Sequence, residues 1–480
     1  MSLSGAMANA VSGLTANARA IDVIANNVAN AQSAGFATRT LSTVADANGG
    51  VKLLGITRTA DPFLLNDRRA ADADAAGSAV LAGFYKTLED RIGIPGEGGG
   101  LGDAIAGLSS ALIQAAAAPA QTATLAAVKT AAAGLSGKLN ALSGTVQDAR
   151  GAADADIARG VDLVNATLAQ TADLNARIRS LTVAGQDASA LVDQRQAVLD
   201  GIAPWLPLRE IARADGTVAL FTTGGAMLLD GGAPARLGFA PARAVTPDMT
   251  IGSGGLSGLT LNGLPLTPAT ALQGAGRLAA DFALRDTVAP AAQADLDGFA
   301  RDLAERLADP AVDPGLTPGA AGLFTDAGAP VTAAAETGLS GRLALNAAVD
   351  PARGGALFRL RDGLAAASPG DSGDGSILNA MLSALNRPQV PTSGALATGP
   401  ADSSGLAAQL LGTIATARLG AENVASFSAN RASALGDSAA AQGVDTDQQM
   451  QQLLLIERSY AANAKVIQTA DAMLQALLQV

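Results

Sequence analysis

The chain has 480 residues, enough for roughly two to four domains, and 49% of them are hydrophobic although only 3% are aromatic, a balance typical of close-packed helices. It carries 32 basic and 43 acidic residues, so it is acidic and matches neither nucleic acid nor an anionic membrane surface. It contains no cysteine and no histidine, which excludes disulfides, thiolate metal sites and most nucleophilic or general-base enzyme mechanisms.

The first ~30 residues carry a heptad pattern of apolar side chains. One series consists of Met7, Leu14, Ile21 and Val28, and the other of Leu3, Ala10, Asn17, Ile24 and Ala31. The two series alternate at spacings of three and four, which predicts an amphipathic helix. Gly35 and Phe36 follow it, and glycine is suited to a helix C-terminus.

The next part of the chain predicts a helical body. Helices are expected at Ala70–Arg91, Asp103–Gln114, Thr122–Gly151, Asp154–Leu181 and Leu191–Ile202. A glycine-rich break at Gly96–Gly102 separates the first two, and Pro204 and Pro207 end the last.

A β-rich insertion is predicted over residues 205–272. Short β-prone runs occur at Leu208–Ile211, Val218–Thr222, Met227–Leu229 and Leu259–Leu261. Glycine-containing turn signals such as Asp215-Gly216 and Asn262-Gly263 separate them.

Helix is predicted to return after this insertion, at Arg277–Asp286 and Pro290–Leu307. A loop-rich stretch, 309–402, follows with short elements at Arg342–Asn346, Leu357–Arg361 and Ser376–Leu385, and then a long helix at Leu406–Ala441.

The last ~35 residues repeat the heptad pattern of the beginning. One series is Leu453, Tyr460, Ile467 and Leu474, and the other is Ile456, Asn463, Ala470 and Leu477. Asp445 is the predicted N-cap, with Gln448 at the capping-box position. A single amphipathic helix is marginal in water, so the two terminal seams must be covered. They either pack separately on a globular core, or pair with each other or with neighbouring subunits.

Three segments could suggest chemistry, and each has a simpler interpretation. Gly96–Asp103 lacks the lysine and the preceding strand of a phosphate loop, which leaves a flexible connector. Asp371–Ser376 lacks the helices and the final glutamate of a calcium loop, which leaves a surface turn. Asp193 and Arg195 are interpreted as a local salt bridge or helix-face contact. We therefore predict no catalytic, cofactor-binding or metal-binding residue.

No secretory signal and no membrane-spanning run is predicted, so these rules alone indicate a cytoplasmic protein. The two ends, however, resemble a known family. Residues 21–31 (IDVIANNVANA), followed by Gly35 and Phe36, are similar to the N-terminal signature of bacterial flagellar rod, hook and hook-associated proteins. Residues 460–474 (YAANAKVIQTADAML) resemble their C-terminal signature.

The middle of the chain resembles one branch of that family, the first hook-associated proteins. Residues 191–199 (LVDQRQAVL) are similar to a helix of that branch, as are Gly276–Leu278 leading to Leu284–Asp286 and the helix Asp295–Leu307. Hook protein shares both ends but typically enters β-rich domains soon after its first helix.

The resemblance implies a mainly α fold with a β-rich insertion, in which the terminal helices pair as an antiparallel coiled-coil rod. Four domains are expected: 1–35 with 443–480 as the inner tube; 36–204 with 273–308 and 403–442 as a helical rod; 205–272 as the β-rich insertion; and 309–402 as an outer region. The expected assembly interface consists of Leu3, Met7, Leu14, Ile21, Ile24, Asn27, Val28, Leu453, Ile456, Tyr460, Ile467, Leu474 and Leu477.

The implied function is that of a structural, non-enzymatic subunit at the junction between flagellar hook and filament. The implied partners are further copies of the chain, hook protein, the next hook-associated protein and an export chaperone, with no nucleic acid and no membrane insertion. The implied location is extracellular, reached through the flagellar type III export apparatus without a cleaved signal. Hook or distal-rod protein is the alternative; an enzymatic insert within 309–402 and an adhesive role of the β-rich insertion stay open.

Overall fold

The computed structural model describes residues 3–478 apart from 34, 48, 395, 397 and 398, and omits the side chains of residues 477 and 478. Its N-terminal part comprises α1 (Leu3–Ala29), β1 (Arg39–Ala45), β2 (Val51–Arg58), α2 (Pro62–Ile92), α3 (Leu101–Ala117), α4 (Thr122–Val183) and α5 (Ser189–Ile202). The middle comprises β3 (Leu208–Ala212), β4 (Val218–Thr222), β5 (Met227–Asp230), β6 (Ala233–Pro234), β7 (Leu237–Gly238), β8 (Leu259–Leu261), β9 (Leu264–Leu266), α6 (Pro268–Ala271), α7 (Gly276–Ala283) and α8 (Ala289–Leu307). The remainder comprises β10 (Phe324–Asp326), α9 (Leu339–Arg342), β11 (Leu343–Leu345), α10 (Arg359–Asp362), α11 (Ser376–Asn386), α12 (Ser403–Ala441) and α13 (Thr446–Leu478). The fold is mainly α with a β-rich insertion, as the sequence predicted.

The terminal helices α1 and α13 pack side by side and run antiparallel. Asn27 donates a hydrogen bond to Gln449 Oε1 at 2.9 Å, and Asn17 donates one to Ser459 Oγ at 3.1 Å. Moving ten residues towards the N-terminus of α1 therefore corresponds to moving ten residues towards the C-terminus of α13. The register of the pair is thus constant between these two contacts.

Helix α4 is a single helix of 62 residues, whereas the sequence predicted two helices that meet near Gly151. At ~1.5 Å per residue it is ~90 Å long. A helical glycine costs only about 1 kcal/mol relative to alanine. The buried side chains on both sides of it, among them Val146, Ala153 and Ile157, outweigh that cost.

Helices α7 and α8 are joined by a π-helical turn, Leu284–Val288, instead of the predicted interruption. Within the turn the Ala289 N–H bonds to the Leu284 carbonyl, five residues back. The Arg285 carbonyl, which an α-helix would use for that bond, accepts instead from Arg150 Nε of α4 at 3.0 Å. The turn therefore allows α7 and α8 to continue as one rod bonded to α4.

Two hydrophobic cores lie along α4. The larger contains α3, α8 and the first half of α4, and it also takes in buried side chains from the 309–402 stretch, such as Phe324 and Leu378. The smaller lies between the middle of α4 and the β-rich insertion. Helices α2 and α12 pack along each other, with an ion pair between Glu89 and Arg418.

The predicted strands form two small antiparallel sheets, in the orders β3-β4-β5-β6 and β7-β8-β9. A third pair, β10-β11, lies in the 309–402 stretch. The hairpin of β1 and β2 was not predicted. Its signal was present in the sequence, because an Asn-Gly-Gly turn at 48–50 stands between two β-prone runs.

Candidate assembly interface

The predicted seam residues of α1 lie close to the observed contact with α13, but the seam is slightly rotated. Ile24 and Asn27 are buried, and four others, Leu3, Met7, Leu14 and Ile21, are half-buried. Val28 is turned away from the pair and is 37% exposed. The heptad placed Val28 in the seam, and its neighbour Asn27 occupies that place.

Small residues on α1 allow the close approach of α13. Ala10 and Ala16 are buried, and a Cβ atom added at Gly13 would lie 2.8 Å from Asn463 Nδ2. Asn463 therefore lies over Gly13, one helical turn away from the contact of Asn17 with Ser459. Asn17 and Asn463 therefore do not lie in one layer of this helix pair.

The predicted residues of α13 are covered incompletely. Leu453, Ile456 and Ile467 are half-buried, whereas Tyr460 is 44% and Leu474 39% exposed. The side chain of Leu477 lies outside the described residues. On its other side the helix exposes Met450, Leu454, Leu455, Val466 and Met473. The helix pair thus leaves a long apolar surface uncovered.

Asn27 connects three elements near the body end of this pair. Its Oδ1 accepts the backbone N–H of Arg39 at 3.0 Å, and its Nδ2 donates to the Arg39 carbonyl at 2.8 Å and to Gln449 of α13. Asn27 is fully buried, so these groups have no access to water. The side chain therefore fixes the start of β1 to both terminal helices.

Asp193 of α5 holds the base of the β1-β2 hairpin. Its two carboxylate oxygens accept from Arg39 at 2.6 Å and from Arg58 at 2.7 Å, one residue from each strand. All three side chains are largely buried. A carboxylate that faces two guanidinium groups is a strong, directional contact.

Arg195 binds elsewhere and does not pair with Asp193, so the predicted local contact between them is wrong. Its guanidinium donates to Asn175 of α4 at 2.8 Å and to the Gly216 carbonyl at 2.9 Å. The next residue, Gln196, contacts Arg69 of α2 and Glu210 of β3. Successive residues of α5 thus join the hairpin, α2, α4 and the β-rich insertion.

The segments that could have suggested chemistry are connections. Asp103 accepts from the Gly96 and Gly100 backbone N–H groups, and these bonds lower the pKa of its carboxyl. Asp371 and Asp374 each accept from a backbone N–H two residues on. In the part of the chain that the structure describes, no acidic cluster could hold a metal ion and no helix is long and apolar enough to cross a bilayer.

Comparison with known proteins places both ends and the middle in one class. A model of the flagella basal body rod protein matches residues 7–36, and a model of the C-terminal region of the flagellar basal body rod FlgEFG proteins matches 440–480. A model of the helical domain of flagellar hook-associated protein FlgK matches residues 86–309. No curated protein matches the chain.

One similar solved structure is the flagellar hook junction protein FlgK from Burkholderia pseudomallei. It is 21% identical, with a TM-score of 0.45, and the match covers 54% of this chain and 46% of that one. This chain therefore matches about half the length of that protein.

The three family matches define an axial protein of the bacterial flagellum, a structural and non-enzymatic class. Within that class, residues 86–309 are similar to the helical domain of the hook-associated protein FlgK.

Proposed function

We propose that this chain is the structural subunit of the junction between hook and filament, and that the filament does not assemble on the hook without it. The observation that carries the proposal is the helical-domain match over residues 86–309, between terminal segments typical of flagellar axial proteins. In this arrangement α1 and α13 form the inner tube and the β-rich insertion faces outward. The domain boundaries expected from the sequence are part of the same proposal.

The uncovered side of α13 supports this role. Leu454 is 53% and Leu455 64% exposed, and Met450 and Met473 are each 50% exposed. Burying one such side chain contributes about 1.5–3 kcal/mol. Neighbouring subunits that cover this side would therefore supply the free energy of assembly, and Tyr460 and Leu474 would join the contact.

The alternative of hook or distal-rod protein has less support. It required the region 70–200 to be β-rich. The elements of that region in the structure are the helices α2, α3, α4 and α5.

The proposed partners follow from a position between two different polymers. They are further copies of the chain, hook protein on one side, the next hook-associated protein on the other, and an export chaperone beforehand. We place the assembled protein outside the cell, after type III export without a cleaved signal. An acidic chain without cysteine is compatible with that route, since it carries no thiol to oxidise.

Deleting the gene tests the proposal. Hooks that form normally but carry no filament, with flagellin shed into the medium, would support the junction role. Loss of hooks would assign the protein to the rod or hook, and normal filaments would refute a role in flagellar assembly.

A truncated chain locates the assembly surface. Removing residues 445–480 is expected to abolish incorporation into the flagellum while the body retains its helical circular dichroism signal. A truncated chain that still incorporates would show that α13 is dispensable.

A further inference from the structure

The outer half of the β1-β2 hairpin carries apolar side chains that the described part of the chain does not cover. Leu54 is 63% exposed, Val44 46%, and Val51 and Leu53 each 37%. A two-stranded ribbon is marginally stable in water and usually buries one face. Both faces of this ribbon are accessible from Val51 to Gly55.

A β-bulge turns Leu54 outward. Ser42 pairs with Gly55 and the next residue, Thr43, pairs with Leu53, so that Leu54 is left between them without a cross-strand partner. Gly55 has a φ of +140°, a backbone conformation that side chains rarely permit. β-Bulges commonly change the direction in which a side chain points, and this one directs Leu54 into solvent.

The ribbon is also held in place within its own chain. At its tip the Val51 N–H donates to Ser12 Oγ of α1 at 3.1 Å, and at its base Arg39 and Arg58 bind Asp193. It therefore cannot fold back to cover Leu54. It packs along α1, whose partner α13 carries the surface that the proposed function assigns to neighbouring subunits.

An apolar groove lies in the body between α2, α7 and α12, with a volume of about 470 Å³. Gly77, Gly276 and Ala280 line it, and the rim includes Ile251, 49% exposed, and Val424, 57% exposed. A Cβ atom at Gly77 would lie 2.9 Å from the Gly276 carbonyl oxygen. The close approach of two bare backbones thus makes one wall of the groove.

We propose that the Leu54 side chain of one copy enters this groove on a second copy of the chain. The inference rests on the proposed function, because it concerns contacts inside the assembled flagellum. The protruding ribbon and the groove lie on different parts of one chain. A contact between them is therefore head-to-tail and extends into a helical array. An isologous dimer would instead require one surface to face itself.

The charges around the two surfaces agree with this pairing. Lys52, two residues from Leu54, makes no ion pair with any described residue. Asp74 and Asp286 line the groove. Asp74 is 38% exposed and has one long contact with Arg431, so a lysine can approach it, whereas both carboxylate oxygens of Asp286 accept from Arg285.

Cysteine cross-linking tests the contact, since the chain has no cysteine of its own. The gene is replaced by L54C/V424C, flagella are isolated, and a short bis-maleimide is added. Both positions are exposed, so the fold should tolerate the changes, and thermal unfolding of the purified variant checks this. The matched control is L54C/V183C, because Val183 is apolar and 81% exposed but lies at the end of α4, outside the groove.

Neighbouring thiols held together reach millimolar effective concentration, so L54C/V424C should give at least about tenfold more cross-linked product than the control. It should form a ladder of oligomers, whereas a mixture of the two single variants should stop at dimers. Intact filaments without cross-linking would overturn this contact alone. Dimers from L54C by itself would also overturn it, by showing ribbon-to-ribbon pairing. Absence of the wild-type chain from isolated flagella would overturn the proposed function together with this inference.

Discussion

Asn27 and Arg39 are joined by two hydrogen bonds that imitate a pair of β-strands: the Arg39 N–H donates to Asn27 Oδ1, and Asn27 Nδ2 donates to the Arg39 carbonyl. The contact turns the chain from α1 into the hairpin. Because Asn27 Nδ2 also reaches Gln449, the same amide attaches the beginning of α13. One buried side chain therefore couples both ends of the sequence to the body.

Replacing Asn27 with alanine should lower the free energy of unfolding by about 3 kcal/mol, because each buried group left without a partner costs about 1–3 kcal/mol. Asn30→Ala is the matched control, since Asn30 bonds only to nearby residues of its own turn. Its effect should stay within about 0.5 kcal/mol. Chemical denaturation of both variants measures the difference. Equal effects would show that Asn27 does not couple these elements.

Asp193→Asn should destabilise the protein by about 3–5 kcal/mol, because it leaves two largely buried guanidinium groups without their carboxylate. Asp90→Asn is the control, since Asp90 forms an exposed ion pair with Lys86 and should contribute less than about 1 kcal/mol. Hydrogen exchange of residues 39–58 locates the effect. If the hairpin amides kept their protection, the role assigned to Asp193 would be wrong.

Stability should depend on pH through Asp281 of α7. Burial raises the pKa of its carboxyl to about 7, although Arg277 and Arg159 oppose the shift. Arg277 Nε lies 3.7 Å from Asp281 Oδ2, too far for a hydrogen bond, and its Nη2 bonds to Asp156 of α4 instead. Asp281 Oδ2 itself has no hydrogen-bond partner among the described residues.

The pKa of Asp281 in the folded protein lies above its ordinary value of 3.8, so the folded protein binds this proton more tightly than the unfolded chain does. The stability that this proton contributes is fully present below pH ~3.8 and is lost as the pH rises through ~7. The free energy of unfolding should fall by up to a few kcal/mol over that range. Unfolding measured from pH 5 to 8 should show this loss, and Asp281→Asn should remove it and be at least as stable as wild type at pH 8. An unchanged pH profile in the variant would refute the assignment.

Replacement with alanine should have opposite effects on stability at two glycines of α4. Gly151 has open space where a Cβ would stand, so Gly151→Ala should stabilise the protein by about 0.5–1 kcal/mol. A Cβ at Gly160 would lie 2.6 Å from Trp205 Cε3, so Gly160→Ala should destabilise it by about 1–3 kcal/mol. Thermal unfolding distinguishes the two. A stabilised Gly160→Ala would mean that Trp205 moves aside freely.

The sequence by itself determined the kind of fold and the class of protein. Heptad spacing identified α1 and α13 because helical periodicity is a local property, and turn residues identified β3, β4, β5 and β8 for the same reason. The terminal signatures around Asn27 and Asn463 indicated the flagellar class. Even the missed hairpin had its local signal at 48–50.

Only the tertiary structure decided which residues meet. Asp193 and Arg195 are two apart in sequence, yet one binds the hairpin and the other binds α4 and the β-rich insertion. Local spacing cannot give such partners, because they come from elements 20 to 154 residues away. The same holds for the rotated seam at Val28 and for the continuity of α4 through Gly151, since in both places packing against distant elements outweighs local preference.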